Sequence, residues 1–168
     1  MIRRNFIKAG LAAGVTVVGG AAMFRVRADA AEGKFPVRHS DAQWKKLLTA
    51  DQYAVLRNEA TERPFSSQLT ENKQSGVYSC VGCDTPVFSS KAKFDSGTGW
   101  PSFFEPISAT AVASKTDYTL IYPRTEVHCA TCGGHLGHVF NDGPKPTGMR
   151  YCINGVVLDF TPGSPEAS

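Results

Sequence analysis

Three absences narrow the reading at once. No uncharged run approaches the ~20 apolar residues that a membrane-crossing helix needs. The longest, Ala9 to Phe24, has 16 residues, and four of them are Gly. No run of Lys and Arg follows residue 30, so the basic stripe of a nucleic-acid binder is missing. No regular alternation of strand and helix appears either, which removes parallel βαβ architectures and the thioredoxin-like context of a redox C-x-x-C. What is present is ordinary. The 168 residues are 42% hydrophobic and 20% charged, which fits one folded domain and excludes wholesale disorder. Two numbers need locating: a net charge of +3 and a cysteine count of five.

The charge belongs to the first 30 residues. Arg3, Arg4, Lys8, Arg25 and Arg27 against Asp29 give that segment +4, and leave the remainder at −1. Paired arginines, Asn5-Phe6-Ile7-Lys8, a weakly apolar run and Ala28-Asp29-Ala30 follow one another in the order of an export signal with an A-x-A cleavage site. The Arg pair with Phe6 and Lys8 resembles a twin-arginine motif, with Ile2 where Ser or Thr is usual. The expectation is export, periplasmic or otherwise through that route. No cysteine lies near the cleavage site for a lipid anchor. An uncleaved membrane-anchoring helix is the competing reading.

Residues 31–39 read as an extended lead-in, 40–160 as the working domain, and 161–168 as a flexible tail. Ser40-Asp41-Ala42-Gln43 and Thr49-Ala50-Asp51-Gln52 have the capping-box form, so two short helices are expected. Trp44, Leu47 and Leu48 make one apolar helical face, and Trp44 is assigned to the core; Tyr53, Leu56 and Arg57 share a face of the second helix. From Gly76 onward short β-forming runs alternate with turn residues, which predicts antiparallel sheets. The runs are Val77-Tyr78, Pro86 to Phe88, Tyr118 to Tyr122, Thr125 to His128, Leu136 to Phe140 and Val156 to Phe160. Asn154-Gly155 predicts a tight hairpin just after Cys152.

Cys80-Val81-Gly82-Cys83 and Cys129-Ala130-Thr131-Cys132-Gly133 are two C-x-x-C turns, each after an expected strand. Two such knuckles give four thiolates the tetrahedral geometry that zinc favours. Gly82 and Gly133 are expected to supply relaxed backbone angles. Two disulfides or redox pairs are the other readings, and export makes disulfides plausible. Cys152 is the thiol left over. Arg150 beside it would favour the nucleophilic thiolate; otherwise it is an inert buried thiol. His135, His138 and Asp142 could supply proton donors and an orienting carboxylate, provided a bulge at Gly137 brings both imidazoles to one side. The pair could instead be ligands or surface residues. His39 and His128 read as ordinary surface residues. In the Gly-rich loop from Phe94 to Phe103, Trp100 and Phe103 are expected to wall an apolar pocket, or else to belong to the core.

Taken together, these motifs resemble the methionine-R-sulfoxide reductases, the MsrB family, over about residues 37–160. The resemblance is carried by Thr61-Glu62-Arg63-Pro64-Phe65, both C-x-x-C knuckles, Ser96 to Phe103, His135 to Pro144 and Arg150 to Asn154. It implies a mainly β fold of two antiparallel sheets with short N-terminal helices, stapled by one zinc ion on Cys80, Cys83, Cys129 and Cys132. It implies Cys152 as the catalytic cysteine and Trp100 against the substrate's ε-methyl group. His135, His138, Asp142, Arg150 and Asn154 fall on the family's polar active-site set. The implied substrates are oxidised proteins bearing the R epimer of methionine sulfoxide, reduced through a cysteine sulfenic acid.

This chain departs from many family members at Thr98, where they carry a second, resolving cysteine. With four cysteines committed to zinc, the oxidised nucleophile is expected to be reduced directly by a thioredoxin-like protein or another thiol, and the protein is expected to be a monomer. Two other readings remain: a non-enzymatic zinc module for protein binding, and a thiol–disulfide oxidoreductase using the C-x-x-C pairs.

Overall fold

The computed structural model describes residues 35–118 and 121–164. The first 30 residues, where an export leader is expected, residues 31–34 of the lead-in, Thr119, Leu120 and residues 165–168 of the tail lie outside the described residues. Helices α1 (Asp41–Leu47) and α2 (Ala50–Asn58) begin at Ser40 and Thr49, and both capping boxes close as the sequence predicts. Gln43 Oε1 accepts from the Ser40 N–H at 2.8 Å, and Gln52 Oε1 from the Thr49 N–H at 3.0 Å. Each box satisfies orphan donors at a helix start. Trp44 and Leu48 are buried, but Leu47 is 61% exposed. Leu47 is thus not core: α1 ends there, and Leu48 is already extended.

Nine strands follow among the described residues, in two antiparallel sheets. The smaller sheet has the order β2 (Pro86–Ser89), β1 (Gly76–Cys80), β9 (Leu158–Pro162). The larger has the order β3 (Lys93–Phe94), β4 (Ser102–Phe103), β8 (Arg150–Ile153), β7 (His135–Phe140), β6 (Arg124–Cys129), β5 (Val112–Asp117). Aromatic rings join the sheets. Phe88 stacks on Phe103 with centroids 4.5 Å apart, and Tyr78 meets Phe103 edge-on at 5.0 Å. All three are fully buried, so each contributes about 2–3 kcal/mol of burial.

Four sequence expectations are corrected here. Asn154-Gly155 is not a hairpin. Asn154 has φ −66°, a 3₁₀ turn spans Gly155–Val157, and β8 and β9 belong to different sheets. Gly155 is needed for space instead, because a methyl there would run into the Ser67 side chain. In the apolar run Tyr118 to Tyr122, the described residues Tyr118, Ile121 and Tyr122 lie in no strand. They are exposed, and β5 lies just before them, on a more polar segment. The tail expected to fray from Thr161 is held at its start, because Thr161 and Pro162 pair with Val77 and Gly76, and Gly163 N–H donates to Ser75 O at 3.0 Å. His128 is not a surface residue. Its ring packs edge-on against Phe35, and burial pushes its pKa down.

Candidate active site and metal centre

The knuckles form where two strands end. Cys80 closes β1 and Cys129 closes β6. Backbone turns bring each partner cysteine back: Cys83 N–H donates to Cys80 O at 3.2 Å, and Gly133 N–H to Cys129 O at 2.9 Å. Gly133 sits at φ +68°, as expected. Gly82 does not need a positive φ. It needs space, since a methyl there would meet Leu56 of α2 at 2.7 Å. In the first knuckle the left-handed residue is Asp84. The four sulfurs lie within 4.8 Å of one another. The short separations run across the knuckles, Cys80 to Cys132 at 3.7 Å and Cys83 to Cys129 at 3.5 Å. A tetrahedral ion bound at ~2.3 Å to each sulfur needs edges of ~3.8 Å, so the set fits a metal ion. All five cysteines are free thiols, so the reading as two disulfides does not describe them.

Cys152 lies elsewhere, in the larger sheet. Register does the positioning: Ser102 pairs with Cys152 across β4–β8, and Cys152 with His138 across β8–β7. Cross-strand partners project to the same face. Phe103 pairs with Tyr151 and so turns to the opposite face. That corrects the pocket assignment of Phe103, which is inter-sheet core. The expected bulge in β7 exists. Val127 opposes Gly137 while His128 opposes His135, so the extra residue is Leu136. It returns His135 to the side of His138, with ring centroids 5.4 Å apart. Gly137 serves a different purpose. A methyl on it would collide with the Cys152 carbonyl, so glycine lets β7 and β8 close up at this row.

A cavity of about 120 Å³ opens over the row, walled by Trp100, His138, Arg124, Phe140, Cys152 and Asn154, with Thr61 and Gly137 completing it. The Cys152 thiol is half-buried. Desolvation pushes its pKa up, against the pull of Thr98 and Arg150. Thr98 Oγ1 stands 3.9 Å from Cys152 Sγ, and a hydroxyl chain continues to Ser96 at 2.8 Å and Ser102 at 2.7 Å. Asp142 does not reach the cavity. It is exposed and holds Arg150 with two bonds of 2.9 and 2.8 Å, while the guanidinium lies 4.4 Å over the Phe140 ring. Asp142 therefore orients Arg150 beside the thiol.

The two histidines differ. His138 lines the cavity and donates from Nε2 to Asp117 at 2.8 Å. Burial lowers its pKa in spite of that carboxylate. Asp117 also grips Arg124 at 2.7 Å. His135 is 2% exposed and does not line the cavity. Its Nδ1 donates to Glu126 at 2.9 Å, and Glu126 meets Lys115 at 2.9 Å.

Sequence reading assigns no role to Glu62, Asp117, Arg124 or Glu126. Glu62 is the knot of the site. Its carboxylate accepts from Gly155 N–H at 2.6 Å and Val156 N–H at 2.8 Å. Its own N–H donates to Asn154 Oδ1 at 2.9 Å, and its carbonyl accepts from Trp100 Nε1 at 3.2 Å. Asn154 Nδ2 adds a bond to Leu136 O at 2.9 Å. Two cavity walls are thus referenced to one residue, 92 positions from Asn154 in the chain. The only sequence signal is the position of Glu62 inside the Thr61–Phe65 stretch. Asp117, Arg124 and Glu126 carry alternating charges on adjacent strands, a pattern that acquires meaning only with the register.

The fold and site define a mainly β protein with four cysteines clustered to hold a metal ion and a fifth held apart from them, in its own apolar cavity. The SelR domain family matches residues 48–162. A peptide methionine sulfoxide reductase MsrB of Methanosarcina barkeri is 56% identical over 124 residues, covering 74% of this chain and 87% of the relative. The MsrB of Agrobacterium fabrum is 53% identical over 126 residues, 75% and 93% of the two chains. The chloroplastic peptide methionine sulfoxide reductase B1 of Arabidopsis thaliana is 54% identical over 120 residues, 71% and 59%. This chain belongs to the SelR-domain family, that of the MsrB peptide methionine sulfoxide reductases.

Proposed function

We propose that this protein reduces the R epimer of methionine sulfoxide, chiefly in oxidised polypeptides, with Cys152 as the nucleophile. The observation that carries the reading is the row Ser102–Cys152–His138 under a small cavity walled by Trp100. The thiol starts protonated, since burial raises its pKa. His138 starts neutral, since burial lowers its own. As Cys152 sulfur attacks the sulfoxide sulfur, the thiol proton passes by way of the imidazole to the sulfoxide oxygen. The hydroxyl then moves from the methionine sulfur to the Cys152 sulfur as the new sulfur–sulfur bond breaks, so methionine leaves and Cys152 is left as a sulfenic acid. A first external thiol displaces water to give a mixed disulfide. A second releases Cys152 and leaves as the oxidised disulfide. Trp100 takes the apolar methyl while polar groups face the oxygen, which distinguishes the two epimers. His135 acts behind His138, and Asp142 through Arg150.

The ion on Cys80, Cys83, Cys129 and Cys132 is zinc in this reading, and its role is folding energy. The leader exports the monomeric protein, and the reductant is a thioredoxin-like protein or small thiol outside the cytoplasm. Cys152→Ser should abolish reduction of the R epimer with zinc content and folding intact. Wild-type inactivity with every thiol reductant would overturn the proposal.

A further inference from the structure

The turn from Arg63 to Ser66 holds an aromatic ring outward. Phe65 is 68% exposed and sits at φ +61°. A bulky residue in the left-handed region is an outlier, and such conformations persist where neighbouring contacts over-determine them, often at functional sites. The contacts are specific. Phe65 N–H donates to Gly99 O at 2.7 Å, and Ser66 Oγ donates to Arg63 O at 2.7 Å. One side of the ring lies on Gly99, where a methyl would stand 2.9 Å from two ring carbons. Gly99 directly precedes Trp100, and Thr61, four residues before Phe65, lines the same cavity. The turn therefore holds an exposed ring one residue from the cavity wall, in a conformation that Gly or Asn would adopt with less strain.

Size adds the second argument. A cavity of about 120 Å³ takes a side-chain tip and not a backbone. The rest of a polypeptide substrate must cross the rim, where Phe65 offers exposed apolar surface. We infer that Phe65 is a docking shelf for an extended polypeptide, receiving an apolar side chain adjacent to the oxidised methionine. This inference rests on the reading of the site as a sulfoxide reductase.

The test compares Phe65→Gly and Phe65→Asn with the full wild-type chain, using dithiothreitol as reductant. The substrates are N-acetylmethionine-R-sulfoxide and two unstructured peptides, one with Leu beside the methionine sulfoxide and one with Ser there. Both variants fit the positive φ, so the turn is kept. The expected result is a fall of about tenfold in kcat/KM for the Leu peptide, carried by KM, as loss of a buried aromatic contact dictates. Activity on the free sulfoxide should stay within about twofold, the Ser peptide should change little, and Tm should hold or rise. Equal losses on all three substrates, or no loss on any, would overturn the inference. So would a loss seen only when a thioredoxin-like protein replaces dithiothreitol, since the shelf would then serve the reductant. Wild-type inactivity on the free sulfoxide would instead overturn the underlying reading of the site.

Discussion

Gly137→Ala isolates what the sheet register contributes. In the native chain Gly137 opposes Ile153, one step from the Cys152–His138 pair. A methyl at Gly137 would stand only 3.0 Å from the Cys152 carbonyl carbon and from Ile153 Cα, and closer still to the carbonyl oxygen. These atoms are backbone, so no side chain can swing away. The strands must part by roughly 1 Å, a strain of about 2 kcal/mol by analogy with overpacked cores. For a domain of this size that lowers Tm by roughly 8 °C. The same ångström separates His138 from Cys152, and a displacement of that order costs about 100-fold in rate. A matched control exists in the other sheet. Gly76→Ala places a methyl against Thr161 O and 2.7 Å from the Phe160 ring, with comparable strain but in a strand that does not line the Cys152 cavity. Steady-state kinetics on a small sulfoxide, with Tm and metal content measured alongside, should show both variants losing stability and Gly137→Ala alone losing about two orders of magnitude in kcat/KM. Equal activity loss in the two variants would refute the argument, as would wild-type activity in Gly137→Ala.

Four further expectations use other parts of the molecule. Cys80→Ser should lose the metal and fall in Tm before activity at low temperature suffers, read by metal analysis and thermal melts; an unchanged Tm would contradict the stapling role. Because burial holds the Cys152 pKa up and Thr98 opposes it, and the proton delivered to the oxygen is the thiol's own, kcat/KM should fall as pH rises through the thiol's pKa, and Thr98→Val should move that falling limb to higher pH; a limb that stays put removes Thr98 from the thiol's surroundings. Thr98→Cys puts a thiol against Cys152 and should yield an internal disulfide after one equivalent of sulfoxide, whereas the wild type gives a mass roughly 16 Da heavier, one oxygen; intact-mass spectrometry separates the two. Burial opposes the Glu126 charge, but His135 and Lys115 outweigh it and hold the carboxyl low, so its stabilisation is present above the ordinary carboxylate range and lost as pH falls through the folded value. Glu126→Gln should cost about 3 kcal/mol at pH 7 and flatten the acid limb of a Tm–pH profile.

Much of the fold was legible because its signals are local. Both helix starts rest on capping side chains three residues from their partners. The knuckles announce themselves by a two-residue gap. The bulge in β7 followed from needing two imidazoles on one side. The misreadings arose where tertiary demands overrode local preference. Asn154-Gly155 has strong hairpin chemistry, yet Glu62 claims the Asn154 side chain and the Gly155 and Val156 N–H groups. Tyr118 to Tyr122 has strand-like composition, yet β5 is paired along Val112–Asp117.

The sequence by itself determined the inventory: four cysteines in two pairs and one left over, a first segment of 30 residues that carries the positive charge, two capped helices and a run of antiparallel strands. These depend on residue types and short spacings, and local chemistry suffices to read them. Only the tertiary structure decided which side chains share the cavity. Strand register assigned Phe103 to the core and Ser102 to the Cys152 row, set His138 at the wall and His135 behind it, and brought Glu62 beneath Trp100 and Asn154. The physical reason is the period of a strand. A shift of one residue reverses the face of every side chain on it, and that shift is set by pairing partners distant in the chain.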